Sequence, residues 1–267
     1  MRLAHVDEGE GPPILMLHGE PTWGFLWRKV MGPLLRAGFR CVVPDLPGFG
    51  RSDKPVDEAW YSYRRHTEAV ASLLDDLDLS DVTLVGQDWG GPIGLRLATI
   101  EPVRERISRL VLMDTGVFTG TQRMNDQWLR FLGFVERNHD LPIGRLIAGG
   151  VVSPLSDEVI AAYEAPFPTP ESKAGARAFP KLVPLEPGAP GAAEGRQVLE
   201  ALSHERRPVL LLWADSDPVL PMDPVGRSFA GLFPSSPEIV VISGAGHFLQ
   251  EDRGDQIGQR IASWLDD

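Results

Sequence analysis

The chain has 267 residues, 43% apolar and 24% charged, with one cysteine and a formal net charge of −11. That length suits one large α/β domain, or such a domain with a modest insertion, and can bury a sizeable core. The acidic balance argues against nucleic acid and anionic membrane surfaces as partners, since both need clustered Lys and Arg, and a lone Cys41 excludes an intrachain disulfide framework and a cysteine metal cluster.

The first residues, 1–8, carry no apolar stretch and no small-residue cleavage site, so a cytoplasmic chain without a signal peptide is expected. Short apolar runs of β character follow at 14–17, 41–43, 82–85, 110–113, 209–213 and 239–242. All are far below the roughly 20 residues that span a bilayer. They lack clean alternation, which suits parallel strands buried on both faces by helices. Cys41 opens one of them and reads as a small buried residue. Helical stretches lie between the early runs; over 67–77, Val70, Leu73, Leu74 and Leu77 recur on one face. Strand and helix in alternation predict right-handed crossovers and a doubly wound, mostly parallel sheet. The alternation breaks between Met113 and Val209, where helical and Pro/Gly-rich segments replace strands. We therefore expect a core over 1–115 and 205–267 interrupted by a helical cap over 116–204. Residues 166–190, rich in proline and glycine, are expected to wrap the core as ordered but irregular chain.

After the run at 82–85 comes Gly86-Gln87-Asp88-Trp89-Gly90-Gly91, followed by an apolar helical stretch at 93–98. Glycines two residues either side of a central residue permit the sharp strand-to-helix turn that lifts a nucleophile above a sheet. Here that residue is Asp88. A carboxylate needs no general base to attack, and it can displace a leaving group from saturated carbon. The competing reading is an Asp that only caps the next helix. Gly244-Ala245-Gly246-His247-Phe248 follows the last run, where this order of elements places a catalytic histidine. With an Asp nucleophile, His247 would activate water against the covalent ester. Its orienting acid is expected to be Asp217, after the run at 209–213; Asp215 is two residues too early, and Asp114 occupies the other position from which the histidine can be reached. After the first apolar run, His18-Gly19-Glu20-Pro21-Thr22-Trp23 forms a turn whose Glu20 backbone N–H, with that of Trp89, would make an oxyanion hole. His18 reads as a structural residue of that turn. His5, His66, His139 and His204 have no catalytic context.

Taken together, HGEPTW (18–23), PDLPGFGRSDKP (44–55), QDWGG (87–91), Asp217-Pro218 and GAGHFLQED (244–252) resemble the haloalkane dehalogenases of the α/β-hydrolase superfamily, in the subfamily whose acid follows the later strand. Cap segments 161–168 and 174–180 are similar to the same subfamily. The resemblance implies an α/β-hydrolase fold with an inserted helical cap. It also implies hydrolysis of a small neutral haloalkane to alcohol and halide ion through an alkyl ester on Asp88, with the halide held by the Trp89 indole N–H. Phe131, Phe179 and Pro180 would then line the substrate pocket. Neither metal nor organic cofactor is implied.

Two departures from the family pattern stand out. The leading β-structure is shortened, and Phe131 occupies the place of the cap tryptophan that serves as second halide donor. Trp128, one turn earlier on the same face, is the candidate replacement. Among rivals, epoxide hydrolases resemble this chain at the elbow but use two cap tyrosines, whereas the cap holds only Tyr163. Fluoroacetate dehalogenases carry Arg where Trp89 stands, and serine hydrolases need a serine at the elbow. A ligand-binding protein on the same fold would not need the Asp88, His247 and Asp217 set.

Overall fold

A computed structural model describes residues 1–266. Its seven strands are β1 (His5–Glu8), β2 (Pro13–Leu17), β3 (Arg40–Pro44), β4 (Val82–Gln87), β5 (Ile107–Met113), β6 (Val209–Ala214) and β7 (Ile239–Ile242). They form one sheet in the order β1-β3-β2-β4-β5-β6-β7. Every neighbouring pair is parallel except β1 with β3. The six apolar runs thus all become strands. β1 does not read as one in the sequence, because an antiparallel edge strand needs little apolar character; Asp7 instead pairs with Arg40 of β3 through two hydrogen bonds of 2.7 Å.

Strand parity divides the core. Ile14, Met16, Cys41, Val43, Val85, Val111, Met113, Leu210 and Leu212 face one side, under α1 (Arg28–Arg36) and α10 (Leu249–Asp266). Leu15, Leu17, Val42, Leu84, Leu110, Leu112, Leu211 and Trp213 face the other, under α2 (Tyr63–Asp76) and α3 (Gly90–Leu97). Cys41 is buried among aliphatic neighbours, and burial pushes its thiol up to about 12, so it packs and does not react.

Between β5 and β6 the described chain is helical: α4 (Asp126–Arg137), α5 (Ile143–Ala148), α6 (Asp157–Glu164), α7 (Ala174–Ala178) and α8 (Ala192–Leu202). Residues 166–190 are more regular than their composition suggests, with 3₁₀ turns at Glu171–Lys173 and Phe179–Leu182 flanking α7. The prolines do not break these turns; Pro170 and Pro180 sit at their starts, where no intrahelical N–H bond is lost. After β7, α10 closes the fold, preceded by the short α9 (Arg227–Ala230) between β6 and β7. No helix among the described residues is long and apolar enough to cross a membrane.

β2 has β3 on one side and β4 on the other, so the winding of the sheet reverses between β2 and β4. The crevice beyond the C-terminal ends of those two strands is where such sheets bind ligands. Asp88 follows β4 and Glu20 follows β2, which places both at that point.

Candidate active site

Asp88 sits at φ +49°, a left-handed conformation that costs free energy for a residue with a Cβ and is maintained by its surroundings. Its N–H donates to Asp114 O at 3.1 Å, and its carbonyl accepts from Thr115 Oγ1 at 2.7 Å. The elbow packs so tightly on the first strand's loop that a Cβ on Gly90 would lie 2.0 Å from Leu17 O, and one on Gly19 would lie 2.2 Å from Asp88 Oδ1. Those two glycines let the loops meet, and the meeting puts the Glu20 backbone N–H 2.7 Å from Asp88 Oδ1 as a donor. Among the described residues, the Trp89 backbone N–H makes no matching bond to Asp88.

The other carboxylate oxygen, Asp88 Oδ2, is 3.6 Å from His247 Nε2. The opposite ring nitrogen, Nδ1, lies 2.7 Å from Asp217 Oδ2, while Asp217 Oδ1 accepts from the N–H groups of Val219 and Leu220 at 2.7 and 3.1 Å. His247 is buried, which opposes its charge, but the Asp217 carboxylate and then Asp88 outweigh burial and hold its pKa well above the ordinary value. The charged imidazolium is thereby favoured. Asp215 instead accepts from Gly244 N at 2.9 Å, shaping the histidine loop from outside the site.

Asp114 is fully buried beside Asp217 and His247; one carboxyl oxygen of Asp114, one of Asp217 and a ring nitrogen of His247 fall within 4.8 Å of one another. Its Oδ1 accepts from Ala214 N at 3.0 Å, and its Oδ2 has no partner among the described residues. Burial, then the charge of Asp217, push its pKa well up and so favour its neutral form. The direct 2.7 Å bond from His247 to Asp217 marks the cluster as a hydrogen-bonded histidine and not a cation site.

Asp88 and His247, but not Asp114 or Asp217, open onto a cavity of about 280 Å³. Trp89, Trp128, Phe131 and Pro180 line it together with Glu20, Asp88 and His247. Phe179, expected on the wall, is not there; it stands behind Trp89, edge-on at 5.4 Å between ring centroids, and is fully buried. Several wall and supporting residues carry no sequence signal. Gln127, Arg145, Leu146 and Phe248 line the cavity. Gln87 Nε2 donates to His247 O at 3.0 Å and so holds the histidine's main chain from the elbow itself.

The remaining histidines near the site are structural. His18 Nδ1 donates to Gly19 O at 3.0 Å and its Nε2 accepts the Leu46 N–H at 2.8 Å, which fixes the tautomer and ties the first loop to the one after β3. His66 is buried against Phe179, and burial pushes it down to about 3, a neutral packing ring. The cap tyrosine, Tyr163, is fully buried, and its hydroxyl donates to Glu251, outside the residues that line the cavity.

Residues 12–254 match the model of the alpha/beta hydrolase fold family. A haloalkane dehalogenase of Mycolicibacterium paratuberculosis is 42% identical over 99% of this chain and 87% of its own length, and one of Psychrobacter cryohalolentis is 40% identical over the whole of this chain and 88% of its own. The solved haloalkane dehalogenase of Paraglaciecola agarilytica superposes with a TM-score of 0.89 at 32% identity, covering 97% of this chain and 86% of that one. With such identity along its whole length, on the same fold, the chain belongs to the haloalkane dehalogenase family of α/β hydrolases.

Proposed function

We propose that the chain hydrolyses small neutral haloalkanes to an alcohol and a halide ion, with Asp88 as nucleophile, His247 as base and Asp217 as the acid that orients it. The observation that carries the reading is the division of labour at Asp88, with Oδ1 on the Glu20 N–H and Oδ2 open toward the cavity and His247. Residues 116–204 act as the cap that roofs the cavity.

In the first step Asp88 Oδ2 attacks the carbon bearing the halogen, and the carbon–halogen electron pair leaves with the halide. The Trp89 indole N–H, with Trp128 as second donor, receives the charge that develops there. Oδ1 becomes the ester carbonyl and stays on the Glu20 N–H. Esterification removes the Asp88 charge, one of the two anions that keep His247 protonated, so the imidazole gives up its proton to solvent and becomes a base. His247 Nε2 then takes a proton from water as that water attacks the ester carbonyl, and the oxyanion forms where Glu20 already donates. Collapse breaks the ester C–O bond; His247 returns its proton to the departing alkoxide, which leaves as the alcohol, and then takes the proton of the Asp88 carboxyl, restoring carboxylate and imidazolium. Tyr163 is committed to Glu251, so the tyrosine an epoxide would need is not offered to the cavity.

The test is halide release from bromo- and chloroalkanes beside turnover of an epoxide, followed by His247→Gln. That variant is expected to accumulate the ester, seen as a mass increase on the peptide carrying Asp88. An unmodified peptide, from a wild type that does release halide, would overturn the covalent route.

A further inference from the structure

Asn125 caps α4, its Oδ1 accepting the Trp128 N–H at 2.8 Å. The Nδ2 of the same amide crosses to the loop after β6, donating to Val219 O at 2.8 Å and to Pro218 O at 3.4 Å. Those carbonyls are special. Pro218 O shares a peptide plane with Val219 N, and Val219 O shares one with Leu220 N; these two N–H groups are the ones that grip Asp217 Oδ1 at 2.7 and 3.1 Å. In a planar trans peptide the C=O and N–H point in opposite directions, so fixing one fixes the other. Trp213 Nε1 secures the far end of the loop, donating to Leu220 O at 2.7 Å. Asp217 Oδ2 is thereby left facing His247 Nδ1.

We propose that Asn125 is a positioning residue whose amide holds the two peptide groups that aim Asp217 at His247, and so couples the aim of the acid to the cap helix that brings Trp128 and Phe131 to the cavity. The inference rests on the dehalogenase reading for its kinetic consequence, but not for its structural one.

Asn125→Ser and Asn125→Asp separate the two duties, because Ser and Asp remain good helix caps while neither supplies the amide donor. Two readouts are needed. The first is the titration of the His247 ring by NMR, which is expected to move to lower pH in both variants as Asp217 slackens. The second is halide release, where the first-turnover burst is expected to survive while steady turnover falls about fivefold, the effect of one neutral hydrogen bond of about 1 kcal/mol. An unchanged His247 titration, or a burst and steady rate that fall together with the melting temperature, overturns the proposal. If the wild type releases no halide from any bromoalkane, the dehalogenase reading fails, and the His247 titration still decides the inference.

Discussion

Glu20 carries two groups of opposite character. Its backbone N–H serves Asp88, while its side chain is sealed in the wall with neither carboxyl oxygen partnered. Burial, then the Asp88 charge, raise its pKa well above the usual range, so the fold favours the neutral acid. In the unfolded chain the same group ionises near pH 4. Its contribution to stability is therefore full at pH below that value and is lost as pH rises toward the folded pKa. Glu20→Gln is neutral at every pH, and calorimetry is expected to show a gain in melting temperature over wild type at pH 8 that shrinks toward pH 4. A difference that stays constant with pH contradicts the account. The same reasoning separates the two buried acids near His247. Asp217→Asn is expected to keep the halide burst and lose steady turnover by about 100-fold or more, because the histidine loses its orienting anion. Asp114→Asn is expected to cost little activity, since burial already favours the neutral form of Asp114 and its Oδ2 bonds nothing among the described residues; rapid-quench halide assays on both variants check this. Removing the Asp88 anion makes a third test. In Asp88→Asn the His247 ring is expected to titrate at lower pH than in wild type, measured by NMR. That Asp88, His247 and Asp217 meet was legible in the sequence because each follows an apolar run, at the C-terminal end of a strand of one sheet. The orphaned Glu20 carboxyl and the Gln87 bond to His247 were not, because each depends on chain that lies far away in sequence.

Among the elements, the buried parallel strands announce themselves by continuous apolar runs, and β1 escapes notice because an edge strand is selected for polarity as much as for pairing. The helical face of α4 was legible from the family resemblance at Phe131 together with helical spacing: Trp128 and Phe131, three residues apart, both reach the cavity. Phe179 shows the limit of that reading. It lies in a 3₁₀ turn that itself packs over the core, and which side of such a turn meets a cavity is decided by its neighbours, here Trp89, Phe49 and His66. On α4, Trp128 is the only one of the two aromatics with an N–H to give. Trp128→Phe is expected to lower halide affinity and turnover together, by about tenfold each, and Phe131→Trp to change them little; bromide quenching of indole fluorescence with steady-state kinetics measures both. A silent Trp128→Phe beside a strongly activating Phe131→Trp assigns the halide to Trp89 alone.

At the scale of the molecule, a buried carboxylate joins cap to core. Glu251 of α10, with no exposed side-chain surface, meets both guanidinium nitrogens of Arg28, the Lys29 ammonium at 3.1 Å and the Tyr163 hydroxyl of α6. Removing the anion from such a cluster leaves two cations without their partner. Because Arg28 and Lys29 keep some contact with water, Glu251→Ala is expected to cost about 3 kcal/mol, at the lower end for a broken buried pair, read from urea unfolding. Tyr163→Phe removes one bond only and is expected to cost about 1 kcal/mol. Such a cluster is invisible to sequence reasoning, since Arg28, Tyr163 and Glu251 come from three distant stretches. The cap, by contrast, is one uninterrupted stretch leaving the sheet after β5 and returning at β6, while Asp88, His247, Asp217 and Glu20 all stand on loops of the sheet itself. On the proposed roles, the groups that act on the ester come from the sheet, while Trp128 and Phe131 of the cavity wall come from the inserted stretch. A foreign segment grafted between those two strands is then expected to leave those groups in place and to reshape the cavity wall, provided that it carries two stitches to the host: an amide over Pro218 and Val219, and a hydroxyl for Glu251.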